Sequence, residues 1–285
     1  MKQLLKQYAQ PVRTLLKPVA QQVGQLSTRS VLDHLDTIDD GHIQRVARVL
    51  HRSRSNQLPD GNALIARIEA QRQLLLACKD PLIDGSFAAP GLHDQGQTIR
   101  AVCHISKPRR SGTLLYLLVR EFQPTVVIEL GTNIGISASY LAAALQMQGH
   151  GKLITFEVSP YRQRLAQDLH QTLGLSNVQY ALGLFEDTLQ PTLNTLEPVD
   201  FAFIDGHHQY RSTLDYFNLV MDCAQNNSVF IFDDIRWSSG MWRAWNQIKC
   251  DPRVVVAVDL DDIGLCIAQK AGIHKASYAI PRIFY

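Results

Sequence analysis

No run in the chain approaches the roughly 18 consecutive apolar residues of a membrane-spanning helix, so the sequence predicts no transmembrane segment. Cysteine is scarce: five residues, at 78, 103, 223, 250 and 266, with no C-x-x-C pair. That spacing signals neither a zinc site nor a disulfide framework, and reduced thiols in a cytoplasm are the expectation. Charge imbalance is also missing. A net charge of +2 gives no case for nucleic acid as a partner. No internal repeat or low-complexity tract interrupts a composition that is 46% hydrophobic and 19% charged, ordinary for a globular chain. The one local lack is of acid. Residues 1–32 carry Lys2, Lys6, Arg13, Lys17 and Arg29 but neither Asp nor Glu, while Leu4, Leu5, Tyr8, Val12, Leu15, Leu16, Val19 and Val23 recur at helical spacing. A helix of that kind touches a membrane surface, directs transit, docks a partner or covers its own domain; Pro11 and Pro18 break any single long one.

What is present changes character midway. With 285 residues the chain holds one large domain, or a domain with a smaller one appended. Residues 1–110 read as a helical N-terminal region that supplies lid, dimer or substrate contacts. The stretch 58–80 is a helix with Asp60 or Asn62 as its cap, and "PLIDGSFAAPGLHDQGQ" (81–97) is a loop dense in Gly and Pro. Residues 111–122 form another helix, capped by Ser111 and stopped before Pro124. From 125, apolar runs at 125–130, 152–158, 177–182, 200–205 and 228–233 alternate with helical segments. Short apolar strands between helices predict an α/β, Rossmann-like doubly wound sheet over 111–285, mostly parallel and covered on both faces. "RVVVAVDL" and "GLCIAQK", joined by a short turn, predict an antiparallel C-terminal hairpin on the sheet edge.

In such a sheet a ligand sits beyond the carboxyl ends of the strands, and four groups of polar residues fall there. The first strand ends in Glu129-Leu-Gly131-Thr-Asn-Ile-Gly135. The two glycines permit a tight turn and close approach of backbone to a ligand. Their spacing is not the G-x-G-x-x-G of dinucleotide binders, which disfavours a nicotinamide oxidoreductase. A following helix N-terminus favours a carboxylate and Glu129 suits an ammonium, the two groups of an amino-acid-like ligand. Glu157, near the end of the second strand, is placed to accept ribose hydroxyls, against the alternative of a solvated acid. The fourth strand ends in "FIDGHHQY" with Asp205 and His208, and the fifth in "FDDIRW" with Asp233 and Asp234. Three carboxylates so placed repel one another unless some protonate or a cation intervenes, and oxygen ligands suit Mg²⁺ or another divalent ion. His208, with an ordinary pKa near ~6.5, can take a proton around neutral pH. The alternatives are helix caps for the aspartates and surface or core positions for the histidines.

On these residues the sequence resembles the class I S-adenosylmethionine-dependent methyltransferases, and within them the cation-dependent group similar to catechol and sugar O-methyltransferases, over roughly residues 105–270. The resemblance implies S-adenosylmethionine as cofactor. It implies that Glu129, Gly131, Thr132, Asn133, Gly135 and Ser137 hold its methionine part, that Glu157 binds the ribose, and that Phe185 and Glu186 lie beside the adenine. It further implies that Asp205, Asp233 and Asp234 bind the metal, with Asp205 touching cofactor as well. Asp234 departs from the Asn of catechol methyltransferases; sugar-modifying relatives have an acidic pair. His208 stands where the catechol group has a catalytic lysine, which implies a His base acting with Asp205. Transfer of a methyl group to a hydroxyl of a small molecule is the implied reaction. Rival readings are a metal-independent methyltransferase and a non-catalytic cofactor-binding or scaffold protein. Trp237, Met241, Trp242 and Trp245 either wall a substrate pocket or pack on the sheet, and Tyr210 either meets substrate or caps a helix. Arg109 and Arg110 of "SKPRRSG", with His93, are further candidates.

Overall fold

The structure, a computed structural model, describes residues 32–55, 58, 60–83, 97–269 and 276–279. The basic segment 1–31 and His93 lie outside the described residues. Helices α1 (Gly41–Arg54), α2 (Asn62–Ala77) and α3 (Ile99–His104) precede α4 (Arg109–Phe122). The alternating part follows: β1 (Val126–Leu130), α5 (Ile136–Gln148), β2 (Lys152–Glu157), α6 (Pro160–Leu173), β3 (Val178–Leu182), α7 (Phe185–Leu193), β4 (Val199–Ile204), α8 (Tyr210–Asp222) and β5 (Ala224–Phe232). Helix α9 (Ser239–Lys249) and strands β6 (Val254–Leu260), β7 (Ile263–Ala268) and β8 (Ala276–Ala279) close the chain's described part.

The eight strands form one sheet in the order β3-β2-β1-β4-β5-β7-β6-β8. β7 runs antiparallel to β5 and β6, and every other pairing is parallel. The expected hairpin exists as β6–β7, but its second strand is inserted against β5 and the sheet continues outward to β8, which the sequence reading did not include. The chain winds outward from β1 to β3 and restarts at β4, so the ends of β1 and β4 diverge at the switch point where a crevice opens. Alternation along each strand feeds two cores. Val127, Leu153, Phe201, Phe203, Val229 and Ile231 face α4, α5 and the N-terminal helices. Ile128, Leu130, Phe156, Ile204, Phe230 and Phe232 face α7, α8 and α9.

The N-terminal helices share the first core rather than standing apart: Ile43, Val46, Ile65 and Ile68 pack in it with Leu115, Leu118 and Leu141. Asp40 caps α1, accepting from the His42 and Ile43 amides. Arg45, Arg48 and Arg52 then converge on Glu121 at the end of α4, at 3.8, 2.8 and 3.4 Å. Two expected caps are corrected. Gly61, not Asp60 or Asn62, precedes α2, and Asp60 instead accepts hydrogen bonds from Tyr116 (2.8 Å) and Arg120 (2.5 Å). Ser111 is buried inside α4, which begins two residues earlier behind Pro108, an extended N-cap residue with no N–H of its own to satisfy. Among the described residues no helix is long and apolar enough to cross a membrane.

Candidate active site

The glycine turn is built against the protein itself. A Cβ on Gly131 (φ +108°) would fall on the carbonyl oxygen of Asp205, and one on Gly135 (φ +84°) would meet Ala166 and His170 at 2.8 and 3.0 Å. The turn therefore needs glycine because β4 and α6 already crowd it, a requirement additional to ligand approach. His170 fastens it: Nε2 donates to the Gly135 carbonyl at 3.0 Å, which leaves Nδ1 to accept from the Tyr180 hydroxyl at 2.6 Å. That pairing is the neutral imidazole, and burial pushes the His170 pKa down to about 4. The unfolded chain therefore binds the extra proton between about pH 6.5 and 4, so this stabilisation is full above the unfolded pKa and lost as pH falls. Between about pH 7.5 and about pH 4.5 wild type should lose about 2 to 3 kcal/mol more than His170→Gln, read by urea unfolding. Equal losses in both proteins contradict the pairing.

Glu129 is fully buried below the turn. Thr155 donates to its Oε2 at 2.6 Å and is itself joined to Thr132 at 2.5 Å, while Oε1 has no hydrogen-bond partner among the described residues. Burial pushes its pKa up to about 8 against the nearby Ser137 and Thr155 hydroxyls, with Asp205 and Glu157 raising it further. An orphaned buried carboxylate oxygen beside a glycine turn fits a cation such as an α-ammonium, which would reverse that shift. Glu157 closes the other side. Its Oε2 accepts from the Asn133 amide at 2.7 Å and its Oε1 from the Val158 and Ser159 amides, both at 2.9 Å. With two lone pairs per oxygen, one acceptor position remains on Oε2. Phe185 lies edge-on to Phe156 and Tyr216 and a Cβ on Gly206 would strike its ring, while Glu186 accepts from the Tyr216 hydroxyl at 2.8 Å.

The acid cluster lies at the neighbouring strand ends. His208 Nε2 stands 3.6 Å from Asp205 Oδ1 and 3.8 Å from Asp234 Oδ2. One ligand atom from each of Asp205, His208 and Asp234 lies within 4.8 Å of the others, a donor set that fits a divalent cation. Asp233, 2% exposed, is drawn away into an ion pair with Lys107, whose Nζ is also 4.0 Å from Asp205 Oδ2. Of the three aspartates expected to share a cation, the structure thus brings Asp205 and Asp234 together with His208. Burial pushes Asp205 up to about 7, Lys107 pulling it down and Asp234 adding to the rise. Burial pushes His208 down, with Asp234 opposing and Lys107 and His207 assisting, so its imidazole is neutral at neutral pH.

The backbone is strained at these same points. Asn133, His207, His208 and Asp234 all have positive φ (48°, 60°, 36° and 51°), four of the seven non-glycine residues that do so among those described. Such strain concentrates where a side chain must be aimed. The aromatic residues divide. Trp245 is core, and its indole donates to Asp259. Trp242 lies between Arg236 and Lys249, at 4.4 and 5.1 Å. Met241 is buried, Tyr210 donates to Gln247 at 2.6 Å, and Arg109 is exposed at the start of α4. Trp237 alone of the group faces solvent, 72% exposed, with its ring 6.4 Å from that of His208. Lys107, Tyr180 and His170 were missed by sequence reading; Lys107 sits inside the quoted "SKPRRSG", but nothing local marks which of its cations turns inward.

Residues 128–235 match the family described as a methyltransferase domain. A catechol O-methyltransferase of Mycobacterium tuberculosis is 29% identical over 175 residues, 61% of this chain and 74% of that protein. One from Niastella koreensis is 30% identical over 133 residues, 46% and 58% of the two chains. An uncharacterised mimivirus protein is 36% identical over 81 residues, and the match spans 37% of its length. Among solved structures, a Bacillus cereus O-methyltransferase in complex with S-adenosylhomocysteine superposes with TM-score 0.53 at 21% identity, covering 76% of this chain and 94% of that one. An O-methyltransferase of tomaymycin synthesis from Streptomyces achromogenes, in complex with S-adenosylmethionine, gives 0.52 at 20% identity, covering 74% and 91%. The fold is theirs.

Proposed function

We propose, starting from a chain that carries a class I S-adenosylmethionine-dependent O-methyltransferase domain, that the protein moves the sulfonium methyl group to a hydroxyl oxygen of a small molecule, with His208 as base and a divalent cation beside it. The observation that carries this reading is the adjacency of two half-sites: a glycine turn over an acid with an unpaired buried oxygen, and a neutral imidazole between two carboxylates on the next strand ends. Glu129 Oε1 would take the cofactor ammonium. Asn133 and Glu157 would hold the ribose through the free acceptor position on Oε2, and Phe185 and Glu186 would border the adenine. The acceptor oxygen attacks the methyl carbon in line, the carbon–sulfur bond breaks to leave a neutral thioether, and the hydroxyl proton ends on His208. Asp205 and Asp234, joined by Asp233 once it leaves Lys107, would hold a cation such as Mg²⁺, which lowers the pKa of a bound hydroxyl. Trp237 would wall the acceptor side.

The described N-terminal helices, packed on α4 and α5, would supply lid contacts. A homodimer, a surface contact of the basic N-terminal segment with a membrane, and a cytoplasmic setting, to which five scattered cysteines are suited, belong to the same reading. One observation favours a second mechanism: the Lys107 ammonium already balances part of the acid cluster, as a metal-independent enzyme requires. Transfer of a labelled methyl group to a panel of catechols, phenols and sugars, with Mg²⁺ and with chelator, decides between them. Activity lost with chelator supports the cation, and activity retained supports the metal-independent route. Cofactor binding without transfer to any acceptor contradicts both and leaves a non-catalytic protein.

A further inference from the structure

We propose that Lys107 is the resident counter-cation of Asp233 and that it and a divalent cation exclude one another from the acid cluster. Lys107 belongs to the connector between α3 and α4, one residue before the Pro108 that opens α4. Its backbone is thus part of the N-terminal helical layer while its ammonium reaches the ends of β4 and β5. The pair is closely buried, with side-chain exposures of 16% for Lys107 and 2% for Asp233. Buried lysines and aspartates are found almost only when paired, because each alone would be a desolvated charge. Apart from Lys107 nothing described pairs with Asp233 Oδ2.

The charges around the cluster explain why the two cations compete. Asp205, Asp233 and Asp234 are balanced in part by Lys107, which contacts Asp233 and lies 4.0 Å from Asp205 Oδ2. Asp233 could join Asp205 and Asp234 in holding a divalent cation only by giving up Lys107, and two positive charges a few ångströms apart repel strongly in a half-buried site. A cation that takes Asp233 as a ligand must therefore displace the Lys107 ammonium from it. The metal clause rests on the cation-assisted reading above; the Lys107–Asp233 pair does not.

The test is Mn²⁺ binding, followed by electron paramagnetic resonance of the free ion, on wild type and Lys107→Met with no cofactor or acceptor present. The proposal expects the variant to bind at least roughly tenfold more tightly, since the competing charge is gone and Asp233 is released. Equal or weaker binding by the variant overturns it while leaving the cation-assisted reading standing. Absence of Mn²⁺ binding in both proteins removes the cation-assisted reading and the competition together. Should Lys107→Met fail to fold, wild type alone gives the answer through amine labelling read by mass spectrometry. Reactivity of Lys107 that rises severalfold with Mn²⁺ supports displacement, and unchanged reactivity contradicts it.

Discussion

Replacing His208 by alanine should lower turnover by about 10²- to 10⁴-fold while leaving S-adenosylhomocysteine affinity within about twofold of wild type. The split between the two readouts follows from where the residue stands. His208 is held between Asp205 and Asp234, at 3.6 and 3.8 Å. The groups assigned to the methionine part of the cofactor, Glu129 and the glycine turn, are held through His170, Thr155 and Glu157 and, among the described residues, meet the acid cluster only through the Asp205 backbone. Burial keeps the imidazole unprotonated at neutral pH, the state a base requires. Its backbone, at φ +36°, is strained, and alanine relieves no part of that strain while removing the nitrogen that the strain positions. Steady-state kinetics and calorimetry on one preparation separate the effects. Turnover within a few-fold of wild type would remove His208 from the chemistry, and a matching loss of cofactor affinity would make it structural.

Gly131→Ala should be the most damaging small substitution in the crevice. It should cost about 2 to 5 kcal/mol of stability and roughly a hundredfold or more in S-adenosylhomocysteine affinity. The new methyl group meets the carbonyl oxygen of Asp205, not a side chain that can swing away. The Asp205 backbone is held against β1, because its amide donates to the Leu130 carbonyl at 2.9 Å. Relief requires the ends of β1 and β4 to separate, which moves Glu129 and Asp205 together. Gly149→Ala is the control: it also has positive φ (+83°) but nothing within 4 Å of its Cβ. Only the left-handed backbone penalty of about 1 to 2 kcal/mol applies there, and cofactor affinity should not change. Similar behaviour of the two variants would mean that the crowding at Gly131 is not what shapes the turn.

The parts of this architecture that were legible in sequence are those written in local pattern. Alternating apolar runs bounded by Gly and Asp located β1 to β5 within a few residues. The acids and histidines at their ends were legible because a parallel sheet gathers strand ends without further instruction. What stayed hidden was set by distant contacts. Asp60 reads as a cap, yet its partners are Tyr116 and Arg120, more than fifty positions away. Lys107 reads as one cation among several in a polar turn, and only the packing of α3 and α4 on the crevice turns it toward Asp233. Adjacent Asp233 and Asp234 are chemically identical in sequence. A left-handed backbone at Asp234 aims one at His208 and buries the other. Trp237, Trp242 and Trp245 likewise differ only in which face of α9 and its entry loop meets the sheet.

The most direct test of the central claim is calorimetric titration of the wild-type protein with S-adenosylhomocysteine. The account predicts a saturable heat with a single site per chain, weakened about a hundredfold or more in Gly131→Ala and retained in His208→Ala. A wild-type protein that gives no heat across cofactor concentrations into the millimolar range would contradict the assignment of the glycine turn, and with it the proposed methyl transfer.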